Sequence, residues 1–154
     1  MAPPVGKPII GEGIDRVLPQ ETFLHFLDLE VKRSRRYQNF FSILVLRLDE
    51  LPNHDNGDGL QACFRRLSHL LAGEIRDSDI LGALGERRLA VLLPYADLMA
   101  GGHTRSRFEN SLQFFDSNRE GYRVVIEQVC FPRDGTDASD LLRKAAGMET
   151  LNQR

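Results

Sequence analysis

Apolar residues in this chain recur in two rhythms, one helical and one extended. From Pro19 to Tyr37, Phe23, Phe26, Leu27 and Leu29-Glu30-Val31 supply an apolar stripe at helical spacing, and Lys32-Arg33-Ser-Arg35-Arg36 forms a basic end that suits a helix C-terminus. Phe40 to Leu48 is almost wholly apolar, which predicts a strand buried on both faces. A polar stretch follows from Leu51 to Gly59, with Asn56-Gly57-Asp58-Gly59 as a turn signal. Leu60 to Ile75 returns to helical spacing through Leu60, Cys63, Phe64, Leu67, Leu70 and Leu71. Ile80–Leu84 and Leu89–Leu93 read as two strands joined at Gly85. A third helix spans Leu98 to Phe115, a strand spans Tyr122 to Phe131, and a last helix spans Asp137 to Glu149, with Asp137 or Ser139 as its N-cap. The order α-β-α-β-β-α-β-α, with its β-β hairpin, predicts an α/β sandwich whose central sheet is mixed and flanked by helices, not a doubly wound parallel sheet.

Composition narrows the class. A chain of 154 residues, 42% of them hydrophobic, has room for one domain with a real core. Met1 to Gly13 is rich in Pro and Gly and without period, so residues 1–13 are expected to be a linker or flexible arm and residues 14–154 the domain. No apolar run approaches the ~20 residues of a membrane span, and the N-terminus does not resemble a signal peptide. Cys63 and Cys130 are isolated, without metal-ligand spacing, and are expected to be reduced, buried thiols of a cytoplasmic protein. His25, His54, His69 and His103 also have no ligand spacing and read as surface or turn residues; no metal site is expected. The net charge of −2 offers no general basic surface for nucleic acid. The cations are nonetheless uneven, 17 Arg against three Lys, and Arg is the side chain that recognises phosphate and guanine in two-pronged fashion.

Five segments, in order, resemble the GGDEF domain of bacterial diguanylate cyclases. Leu29-Glu30-x-x-Arg33-Ser-Arg35-Arg36 is similar to that family's first helix, and Phe41-Ser-Ile-Leu-Val-Leu-Arg47-Leu48-Asp49 to its apolar strand ending in Asp-x-Asp. His54-x-x-Gly57-Asp58 resembles its His-x-x-Gly-Asp. Ala90-Val91-Leu92-Leu93-Pro94 resembles the strand after the signature turn, and Phe131-Pro132-x-Asp134-Gly135 its Tyr-Pro-x-Asp-Gly. The resemblance implies a fold related to the palm of nucleotide cyclases. It also makes the departures informative. The Gly-Gly-(Asp/Glu)-Glu-Phe signature reads Gly85-Glu86-Arg87-Arg88-Leu89 here. The two positions that would hold divalent ions are Arg47 and Arg87, and hard cations need oxygen ligands. Phosphoryl transfer depends on those ions, so the resemblance implies a degenerate, non-catalytic member rather than an active cyclase. The loop from Asp49 to His54 is also shorter than usual and omits the family's guanine-binding Asn; Asp58, at a guanine-contacting position, reads as a turn residue.

Arg76-x-x-Asp79 falls in the family's register for its product-binding motif, with five residues between Asp79 and Gly85, and is the only Arg-x-x-Asp in the chain. An Arg fork can donate twice to guanine O6 and N7 or clamp a phosphate, and a carboxylate can accept from guanine N1 and N2. The bland alternative is a solvated helix end with a weak local ion pair. The resemblance adds a further Arg from the following helix, which by position is Arg107, with Arg105 as the near alternative. Arg87 and Arg88 either mark a site without catalytic demand or bind a partner or phosphate in the former GTP pocket. The leading expectation is a cyclic di-GMP receptor without other cofactors, able to dimerise on ligand or to pass the signal to another protein. The alternative is a protein-interaction or dimerisation module that binds no nucleotide.

Overall fold

The computed structural model describes residues 16–52, 59–113 and 121–152. The expected arm at 1–13, the turn carrying His54 and Asp58, and the helix end at Phe115 lie outside the described residues. Among the described residues nine elements follow one another: β1 (Val17–Leu18), α1 (Gln20–Tyr37), β2 (Phe41–Glu50), α2 (Gly59–Glu74), β3 (Ile80–Ala83), β4 (Arg88–Pro94), α3 (Leu98–Leu112), β5 (Tyr122–Phe131) and α4 (Ala138–Asn152). The sheet order is β1-β3-β4-β2-β5. The β1–β3 pair is parallel, and β3–β4, β4–β2 and β2–β5 are antiparallel. The mixed sheet expected from the element order is therefore the observed one.

Strand alternation explains the layering. On β2, Phe41, Ile43 and Val45 meet α1 and α4, whereas Leu44, Leu46 and Leu48 meet α2 and α3. Because side chains point to opposite faces at successive residues, only a continuous apolar run can serve both layers. Phe23, Leu27, Val31 and Ser34 form the buried stripe of α1. Phe26 and Leu29, expected within that stripe, are 38% and 46% exposed: they lie off the i, i+4 line that faces the sheet. Cys63, Leu67, Ser68, Leu71 and Ala72 form the stripe of α2, and both cysteines are buried free thiols. Asp97 caps α3, accepting from the Ala100 N–H at 2.8 Å, and Asp137 caps α4 by accepting from the Asp140 N–H at 2.8 Å, so Asp137, not Ser139, is that cap. His25, His69 and His103 are exposed. No helix among the described residues is long and apolar enough to cross a membrane.

The candidate ligand turn and the arginine-filled cleft

Two places carry the arginines singled out by the sequence, at different ends of β3 and β4. The first is the turn between α2 and β3. Helix α2 ends at Glu74, and β3 starts at Ile80, leaving a short link that holds Arg76 and Asp79. The two residues close this link through the backbone. The Asp79 carboxylate accepts from the Arg76 N–H at 2.9 Å, and the Asp79 N–H donates to the Arg76 carbonyl at 3.0 Å. No ion pair joins their side chains, so the bland expectation of a local salt bridge is not what forms. Among the described residues the Arg76 guanidinium has no hydrogen-bond or ion-pair partner, and it is exposed.

Arg107 reaches the same end of α2 from α3. Its Nη2 donates to the Glu74 carbonyl at 2.9 Å, and its Nε stands 3.6 Å from Glu74 Oε1. Ser111 Oγ donates to the other carboxylate oxygen of Glu74 at 2.9 Å. Arg105 sits two residues earlier, on a different helix face, and pairs with Glu109 on its own helix at 3.3 Å. The tertiary structure thus brings Arg76, Asp79 and Arg107 to one corner and leaves Arg105 outside it.

The second place is a cleft of about 1110 Å³ at the other end of the hairpin, lined among others by Arg47, Asp49, Glu50, Arg87, Arg88 and Arg123. Arg47 is 5% exposed and directly opposite Arg88 across the β2–β4 ladder. Like charges facing each other across strands repel. Asp49 relieves this: its two oxygens accept from Arg47 Nε at 2.6 Å and Nη2 at 2.9 Å. Two residues apart on one strand, Arg47 and Asp49 share a face, so the pair needs no distortion. The Arg47 hydrogen bonds hold the Asp49 carboxyl below the usual carboxylate range, against the opposing effect of burial. Arg87, in the turn, pairs with Glu50 at 3.0 Å and lies 6.0 Å from the Tyr122 ring centroid. At the two positions where the resemblance would place metal-binding carboxylates, guanidinium groups occupy the space and are matched by acids of the same cleft. Among the described residues no cluster of His, Cys, Asp or Glu could hold a metal ion.

The sequence analysis does not single out Asp49 and Glu50 as counter-charges; for Asp49 its two-residue spacing from Arg47 on one strand offers a signal, whereas Glu50 meets Arg87 only across 37 residues. Glu74 as the partner of Arg107 had no such signal, because the contact joins residues 33 apart.

The family model "Diguanylate cyclase, GGDEF domain" matches residues 16–151, and the chain belongs to the GGDEF family. Solved structures agree on the fold. A DGC protein from Thermotoga maritima is 15% identical with a TM-score of 0.69, over 88% of this chain and 97% of that one. The GGDEF domain of FimX from Pseudomonas aeruginosa is 14% identical with a TM-score of 0.72, over 84% and 85% of the two chains. A microbial GGDEF domain, described for a novel interaction mode with bis-(3,5)-cyclic di-GMP, is 19% identical with a TM-score of 0.67, over 85% and 84%. No curated protein matches the sequence.

Proposed function

We propose that this GGDEF domain is a non-catalytic receptor for cyclic di-GMP that binds its ligand at Arg76, Asp79 and Arg107. One observation carries the reading: an exposed Arg76 guanidinium without a partner among the described residues projects from a turn closed by Asp79, with a second guanidinium, that of Arg107, anchored at the same helix end. Such a corner can present two forks to guanine edges and phosphates. The remaining lone pairs of Asp79 accept from guanine N1 and N2. The catalytic half of the proposal rests on the cleft. A buried Arg47 held by Asp49, and Arg87 held by Glu50, oppose the binding of two divalent ions that phosphoryl transfer by this family requires. A ligand with two guanine faces also has two sides to satisfy, so occupancy draws two copies together, or one copy to another signalling protein.

A second reading, a protein-docking module that binds no nucleotide, has one observation in its favour. Of the seven large apolar side chains that stand exposed among the described residues, Tyr37, Phe40, Tyr95, Leu98 and Met99 lie at the end of the sheet away from the cleft. Calorimetric titration of cyclic di-GMP separates the two. Saturable binding by the wild-type chain, lost in Arg76→Ala, supports the receptor. No heat at high micromolar ligand refutes it and leaves the docking module.

A further inference from the structure

We infer that Arg16 is a positioning residue of the Arg76–Asp79 turn; this rests on the receptor reading above and adds to it a residue that touches the turn's backbone, not the ligand. A helix leaves its last four carbonyls without intrahelical partners. At the end of α2 two of these groups, the Ala72 and Glu74 carbonyls, accept from side chains outside the helix, as does the Arg76 carbonyl in the link that follows. Arg16 Nη1 donates to the Ala72 carbonyl at 2.9 Å and Nη2 reaches the Arg76 carbonyl at 3.5 Å. Arg107 Nη2 donates to the Glu74 carbonyl between them. Two guanidinium groups from different parts of the chain therefore hold alternate carbonyls, at 72, 74 and 76, of the segment that leads into Asp79.

The placement of Arg16 follows from the smallest strand. β1 consists of Val17 and Leu18 alone, paired in parallel with Leu81 and Gly82 of β3. Residue 16 therefore lies beside the start of β3, next to the link that carries Arg76 and Asp79. The Arg76 carbonyl that Arg16 reaches also receives the Asp79 N–H. Arg16 and Asp79 are thus joined through one acceptor. A ligand seated on Arg76 and Asp79 needs that link in one conformation, and every alternative conformation lowers the observed affinity by its population. Positive charge at a helix C-terminus is also favourable in itself, which makes Arg the side chain suited to the place.

The test uses the full chain and three variants, Arg16→Ala, Arg16→Lys and Arg76→Ala, with cyclic di-GMP as the titrant and the thermal midpoint of each variant measured without ligand. Arg16→Ala is expected to bind roughly five- to tenfold more weakly, the loss that one charged hydrogen bond to a partly exposed acceptor represents. Arg16→Lys keeps one donor for the Ala72 carbonyl and is expected to recover part of that loss, which a general destabilisation would not show. Amide hydrogen exchange without ligand provides an independent reading: the Asp79 N–H should exchange faster in Arg16→Ala, while amides in β2 stay as in wild type. If the wild-type chain binds, Arg76→Ala does not, and Arg16→Ala matches wild type, this inference alone falls. If the wild-type chain does not bind, the receptor reading falls and the binding role of Arg16 with it. An unchanged Asp79 exchange rate overturns the positioning role whatever the ligand does.

Discussion

Replacing Asp49 by Asn removes the carboxylate that answers Arg47 while keeping the side-chain volume. Arg47 is 5% exposed and its two bonds to Asp49 are 2.6 and 2.9 Å long. Hydrogen bonds to charged groups contribute about 1.5–3 kcal/mol, and removing one partner of a buried pair costs about 3–5 kcal/mol. The Asp49 side chain is 27% exposed, so water recovers part of the loss and the expected cost is about 2–3 kcal/mol. For a domain of this length that lowers the thermal midpoint by about 6–9 °C. Urea unfolding at pH 7 measures the free energy directly. The pH dependence carries its own sign. Folding lowers the Asp49 carboxyl below its ordinary value of 3.8, so its contribution is present above about pH 4 and disappears as pH falls through the folded-state value. The gap between wild type and Asp49→Asn should therefore be constant from pH 5 to 8 and close below about pH 4. Adding Arg47→Met to the variant should recover most of the loss, because an apolar side chain needs no counter-charge. A change under about 0.5 kcal/mol at pH 7, or a gap that persists in acid, would refute the claim that this pair secures the cleft.

Incubation with GTP and Mg²⁺ or Mn²⁺ should yield no cyclic di-GMP by chromatography; product formation would show that Arg47 and Arg87 do not stand at the metal positions. Converting both to acids should leave the protein inactive, and a clear gain of turnover would show that the short Asp49–His54 loop is no obstacle. Arg107→Ala should weaken ligand binding, by up to the roughly 1–3 kcal/mol of one bidentate contact, while Arg105→Ala should bind as wild type; equal losses would show that the α3 face was wrongly assigned. Gly82→Ala should destabilise the fold by about 1–3 kcal/mol, since its Cβ would lie 2.5 Å from Phe23 Cβ in the core; a neutral effect in urea would mean that α1 yields easily.

The sequence by itself determined the central layers and the family. A run such as Phe41 to Leu48 can only be buried on both faces, and the stripes of α1 and α2 need a sheet to cover them. It also carries the resemblance that would put Arg47 and Arg87 where the family has acids, a comparison that depends only on register along one strand and one turn. Contacts between distant segments came only with the tertiary structure. β1 has two residues, too few for any period, and is a strand only because β3 offers it an edge. By position the sequence puts Arg107 first and Arg105 as its near alternative, and which of the two meets the end of α2 follows from the face of α3 that packs there. Arg16 lies 56 and 60 residues from the carbonyls it reaches, a separation at which no local pattern survives and only the packing of β1 against β3 decides the partner.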